Sequence, residues 1–268
     1  MIALVLITCS REPGSLSFAD WGKGRVVNEL EQEIAALGLG THTGSLDVQL
    51  NPASAHGVLA LSAAAGAVGG TIGGKAVTVA ASGGDTSTAA AIAAAINADT
   101  TANKFVSASQ GAASQTVTIS GGAGQVAIAI VTPPDVYQNT SRNGPKAYAV
   151  TWATSDAATA AALAAVINAD GSSPVFATSS AGVVTLYARS NSANCNLVQV
   201  AASGTGVTAG GTSLTGGSTN ANVLITGVVP GSMGAGITLA ASGTGVTAPT
   251  GANLVAGVGI TGANTFTC

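Results

Sequence analysis

The stretch Lys75-Ala76-Val77-Thr78-Val79-Ala80, then Asp85, then an alanine run ending Ile96-Asn97-Ala98-Asp99, decides how this chain is read. The same spelling returns 71 residues later as Lys146-Ala147-Tyr148, Asp156 and Ile167-Asn168-Ala169-Asp170. Phe105 and Phe176 share that offset. A spacing kept from Lys75 to Phe105 without a gap implies one structural unit used twice.

Within the unit, Val77 and Val79 alternate with Thr78, the period of a half-buried strand. Gly83-Gly84 turns the chain, and Asp85 and Asp156 are expected to cap the helices that follow, each carboxylate accepting from first-turn amides. The helices carry few large residues: Ile92 and Ile96 in the first, Leu163 and Ile167 in the second. Such a slim face lets a helix sit close against a sheet. Strands are expected near 104–109, 115–120 and 125–131, then near 147–152, 174–178 and 183–188. The glycines of Gly69-Gly70 and Gly121-Gly122-Ala123-Gly124 read as β-turns, because neither run has the Gly-Lys-Ser/Thr ending of a phosphate loop.

A third, partial copy follows. Ala201–Ala209 (AASGTGVTA) recurs letter for letter at Ala240–Ala248, and Val184-Thr185-Leu186 matches Val223-Leu224-Ile225. No alanine helix accompanies it, so the last part reads as all β. Ahead of the repeats, residues 2–8 form a continuous apolar run read as a buried first strand. From Lys23 to Leu37 the pattern is that of an amphipathic helix. The expected fold is therefore α+β and β-rich: tandem small modules of a sheet plus an Ala-rich helix, behind a strand-helix N-terminal region and ahead of an all-β C-terminal part. The boundaries drawn are 1–50 for the N-terminal region, 51–135 and 136–218 for the two modules, and 219–268 for the partial repeat.

Composition narrows the function. The 268 residues are 47% hydrophobic, but alanine supplies much of this and aromatics are only 3%. Charged residues are 7%, and nine of the nineteen lie in the first 50 residues. Beyond Arg189 there is none. An uncharged surface promotes association, and an open, charge-free β edge is a template for another chain. Much of this tail is expected to face neighbouring subunits, with Val223, Leu224, Ile225, Ile237, Leu239 and Leu254 as candidate contacts. A formal charge of −3 without a basic run argues against nucleic acid. No apolar run is long enough for a membrane helix.

Catalytic constellations are not expected. Cys9, Cys195 and Cys268 show no CxxC spacing, which disfavours zinc and thioredoxin-like chemistry, and the odd count leaves them as possible intermolecular thiols. His42 and His56 sit in a Gly/Ser/Ala-rich link and read as surface residues, too poorly supplied with neighbouring ligands for a metal site. Asp99 and Asp170 read as turn residues at the helix ends. There is no Gly-x-Ser-x-Gly elbow. No enzyme activity, cofactor, metal or small-molecule substrate is expected.

The elements Asp156–Asp170, Pro174–Ala177, Gly182–Ala188 and Ile237–Ala240 resemble a module of tailed-phage virion proteins. Its pattern is Asp-Thr, an Ala-rich helix ending Ile-Asn-Ala, Pro-Val-x-Ala, Gly-Val-Val-Thr-Leu-x-Ala and Ile-x-Leu-Ala. It occurs in Mu-like contractile tail sheath proteins and in other head, tail and fibre components, and the resemblance covers roughly residues 57–259. The chain lacks room for the remainder of a sheath protein, and Cys195 stands near the position where the family prefers glycine. The resemblance implies a structural subunit of the virion, assembled in the host cytoplasm. Its expected partners are further copies of itself and other virion proteins. A tail component is the first placement, and capsid decoration or a head fibre the second. A bacterial surface or adhesin-like module is the alternative from another class.

Overall fold

The computed structural model describes residues 53–137, 142–231 and 233–258. The expected N-terminal strand and helix lie outside the described residues. Among the described residues, two five-stranded antiparallel sheets and two α-helices make up the regular structure. The strands are β1 (Ser54–Ile72), β2 (Lys75–Ala80), β3 (Val106–Gln110), β4 (Ser114–Thr132), β5 (Gly144–Thr151), β6 (Val175–Ser180), β7 (Val183–Ala188), β8 (Gln199–Ala209), β9 (Asn222–Pro230) and β10 (Leu239–Thr247). Helix α1 is Asp85–Ala98 and α2 is Asp156–Ala169.

The repeated unit is nested rather than tandem. One sheet runs β10-β1-β9-β3 with β2 also on β1; the other runs β5-β4-β7-β6 with β8 also on β4. The register makes the two equivalent. Leu61 pairs with Val246 as Ile119 pairs with Val207, and Ile72 pairs with Lys75 as Ile130 pairs with Lys146. Ala108 opposes Ile225 as Ala177 opposes Leu186. In the second unit the β6–β7 hairpin closes through Ala181-Gly182; in the first, the matching β3–β9 hairpin is interrupted by residues 111–221, the whole second unit. The expected third copy is therefore the second half of the first unit. It has no helix of its own because α1 already serves it. The divisions at 135/136 and 218/219 do not follow the sheets: β4 lies before the first of them yet pairs with β5, β7 and β8, and β9 and β10 lie after the second yet pair with β1.

Each unit is organised on one long strand. β1 and β4 carry 19 residues each, and both have two register shifts at matching places against β10 and β8. The shifts are β-bulges, which bend the strand and increase its twist. The identical AASGTGVTA segments supply the partner bend. Gly204 and Gly206, and their counterparts Gly243 and Gly245, have φ of 122°, 71°, 94° and 73°. At Gly206 a Cβ would run into the Ser120 carbonyl, and at Gly245 into the Ser62 carbonyl. Only glycine fits that left-handed, crowded position. The glycines expected to form turns, Gly69-Gly70 and Gly121 to Gly124, instead lie inside β1 and β4. The tight turn falls at Gly73-Gly74. These bends also break up the uncharged edges of β8 and β10, one of the ways a β edge is kept from adding another strand.

The helices bury the same stripe, Thr88, Ala89, Ile92, Ala93 and Ile96 in α1 and Thr159, Ala160, Leu163, Ala164 and Ile167 in α2. Around α1 lie Leu59, Leu61, Val68, Val223, Ile225 and Leu239; around α2 lie Val117, Ile119, Val126, Val184, Leu186 and Val200. Because alanine buries little area, polar side chains fasten the helices at both ends. Asn97 donates from Nδ2 to the Ala108 carbonyl (2.7 Å) and accepts from its N–H (2.8 Å). Asn168 repeats this on Ala177 at 2.8 Å in both directions. Each carboxamide thereby occupies the outward-facing backbone groups of an edge strand.

The common position of Phe105 and Phe176 does not survive folding. Asn97 and Asn168 place Ala108 opposite Ala177, so two residues are missing between helix and strand in the second copy. Phe176 then corresponds to Ser107, within β6, while Phe105 precedes β3. Phe176 is fully buried and Phe105 is 42% exposed. Truncating a buried phenylalanine costs about 3–5 kcal/mol, whereas surface changes stay mostly within about 0.5 kcal/mol. Phe176→Ala is therefore expected to lower the denaturant midpoint strongly and Phe105→Ala slightly; equal losses would contradict the two-residue shift.

Candidate functional site

The sequence-predicted site residues fall into three groups. Asp85 and Asp156 are not caps. The N-cap positions are Gly84 and Ser155, and the Ser155 hydroxyl accepts from Ala158 N–H. Each aspartate, one residue inside its helix, reaches across to the long strand. Asp85 accepts from the N–H groups of Ala63 and Ala64, both at 2.8 Å. Asp156 accepts from Gly121 (3.0 Å) and Gly122 (3.4 Å), and from Trp152 Nε1 (3.2 Å). The bulge frees two adjacent backbone donors, and a carboxylate at the helix start is the nearest acceptor. The Gly121 N–H, with the Trp152 indole and Gly122, holds the Asp156 carboxyl below its ordinary value.

The candidate interface residues are core. Val223, Leu224, Ile225, Leu239 and Leu254 are at most 2% exposed, and Ile237 packs on the first core. Val223, Ile225 and Leu239 face inward because β9 and β10 complete the sheet that α1 covers, whereas Leu224 lies on the opposite face of β9, toward the second unit. The exposed aliphatics lie elsewhere, at Val131, Val166, Leu197, Val228, Val229 and Met233.

Cys195 is also buried, with Sγ 3.8 Å from Tyr137 Oη, and burial pushes its thiol up. An intermolecular bond at Cys195 is excluded by that burial. Cys9 and Cys268 lie outside the described residues, as does His42.

What the sequence did not disclose is the junction between the two units. Two hydrogen-bonded linkers join them: Gly111 N–H donates to Asn222 O (2.9 Å), Ser218 N–H donates to Gly111 O (2.7 Å), and Ala112 N–H donates to Asn222 Oδ1 (2.8 Å). Between them Val58, Ala112, Phe176, Tyr187, Leu224 and Ala256 form a separate apolar cluster. Phe176 stacks on His56 at 5.1 Å and on Tyr187 at 5.4 Å. His56, expected at the surface, is 2% exposed, because β1 starts earlier than its Gly/Ala-rich spelling suggested and the second unit covers it.

A polar group surrounds the stack. Arg189 is 5% exposed and donates to the carbonyls of Val175, Ser54 and Ala256, each at 3.3 Å. Burial, with the nearby Arg142 charge, brings its guanidinium down to about 9. Burial likewise lowers Arg142. For Asp170, burial works to raise the carboxyl, but hydrogen bonds from Ser172 and Tyr148 outweigh it and hold it below its ordinary value. Tyr137 and Tyr148 are pushed well up by burial. Burial, reinforced by Arg189 and Arg142, keeps His56 well below 6.5.

This is a clasp with an excess of positive charge. Among the described residues no cluster of three or more His, Cys, Asp or Glu could hold a metal ion, and no helix is long and apolar enough to cross a membrane.

Two outcomes test this picture. The His56 value in the folded state lies below its unfolded 6.5, so the stability from its neutral ring is complete above 6.5. It is lost as pH falls through 6.5 toward the folded value, by at most about 1.4 kcal/mol per pH unit. Denaturant unfolding between about pH 7.5 and 5 should show this slope in the wild type and lose it in His56→Gln. Thiol alkylation followed by peptide mapping should leave Cys195 unmodified until denaturant is added; native labelling at Cys195 would contradict its burial. Compared with known proteins, the chain matches no family model, no curated protein and no solved structure.

Proposed function

We propose that this protein is a non-enzymatic structural subunit of a tailed-phage particle, acting in assembly by self-association or by docking on a lattice. A tail component is the first placement, and capsid decoration or a head fibre the second. The observation that carries the reading is that the spelling resembling the virion module belongs to a bent-sheet unit around an alanine-rich helix, and the chain builds that unit twice. A unit whose ends lie side by side can be set into a hairpin of a host protein, which suits a part reused across many virion components. Beyond Arg189 the sequence carries no charge, so its exposed strands present hydroxyls, amides and small apolar groups to a neighbour.

The contact surfaces proposed are the exposed aliphatics rather than the core residues. Val131 and Leu197 flank a groove of about 480 Å³ with Asn196, Gln199 and Thr212. Val228, Val229 and Met233 stand exposed at the end of β9 and just after it. Repeated subunits in a closed particle meet through symmetric contacts of this kind.

Light-scattering mass after size exclusion, with and without reductant and followed by negative-stain imaging, tests the reading. A discrete oligomer, ring or tube is expected, together with a lower mass for the doubly charged variant Leu197→Asp, Met233→Asp. A monomer at every concentration, binding no virion lattice, would overturn it.

A further inference from the structure

We propose that the junction between the two units binds one small anion of halide size, held by the Arg189 guanidinium and the His56 imidazole. Arg189 uses Nε on Val175 O and Nη1 on Ser54 O and Ala256 O, and its buried Nη2 has no acceptor. His56 Nδ1 lies 3.2 Å from Thr226 Oγ1. With that hydroxyl donating, the ring proton stands on Nε2, a second buried atom without a partner. Arg142 Nε is a third. These donors come from the start of β1, the end of β7 and the segment before β5, so folding gathers them where no acceptor of the chain meets them.

Charge leads to the same ligand. Among the described residues Arg142, Lys146 and Arg189 share one carboxylate, Asp170, whose oxygens are already engaged by Tyr148 and Ser172. Tyr137, Tyr148 and Cys195 complete the surroundings and are held neutral by burial. An uncompensated buried cation is costly, and three carbonyl dipoles at 3.3 Å offset only part of the cost. A water molecule could meet the geometry of the donors but would leave the charge. A small anion meets both. Arg189 and His56 are buried and His56 lies flat against Phe176, which favours a monatomic or similarly small ion over a larger one.

The experiment is thermal unfolding of the full chain at constant ionic strength, exchanging gluconate, too large for the site, for chloride or bromide. A saturable rise of about 3 °C is expected at a tenfold excess over Kd, and it should be absent in Arg189→Met. If Arg189→Met does not fold, bromide soaked into wild-type crystals provides the second reading: an anomalous peak is expected between Arg189 Nη2 and His56 Nε2. Equal halide response in wild type and Arg189→Met, or no anomalous peak at those atoms, would overturn the proposal and leave water as the occupant.

Discussion

A segment can replace a hairpin turn only if its two ends emerge side by side, and this constraint organises everything else here. The repeated unit meets it by pairing the start of its long strand with the residues that follow its last strand. His56 bridges Val255 in the first unit, and Ser114 bridges Thr215 in the second. The second unit can therefore stand where Ala181-Gly182 stands in its own hairpin. The described body ends in the same way, with Ala53 bridged to Val258. Loop tips accept such insertions because few contacts are broken there.

Within a unit, thin helices are compensated by directed polar contacts. An alanine face buries too little area to fix a helix by apolar contact alone. Asp, Thr and Asn therefore repeat at fixed places along the helix, each bonding a different part of the sheet. Thr88 accepts from Ser82 N–H (3.1 Å) as Thr159 accepts from Ala153 N–H (2.9 Å). The aspartates secure the bulge and the asparagines secure an edge. Identical letters in the two copies mark these struts, whereas the core positions tolerate exchange, as with Val77 for Tyr148 or Ile92 for Leu163.

The two units differ where they meet. Phe176 and Tyr187 of the second unit face Val58 and Leu224 of the first. The corresponding positions are Ser107 and Thr226 in the first unit, and Thr116 and Thr185 in the second. The same junction gathers Arg189 and His56, both buried.

Much of the local structure was legible in the sequence. Alternation located β2, β5 and β7, the alanine runs located both helices, and the exact AASGTGVTA repeat identified β8 and β10 as equivalent. These features depend on neighbours a few residues apart, which spelling records directly. Partner choice was not legible, because a strand's edge does not name the strand that will pair with it. Only the tertiary structure decided that the third copy completes the first, and that a two-residue deletion moves Phe176 into the junction. It also decided that Asp85 and Asp156 reach a bulge rather than a helix end, and that His56 and Cys195 are buried. Each of these depends on contacts between residues far apart in sequence, some within one unit and some across the junction between the two.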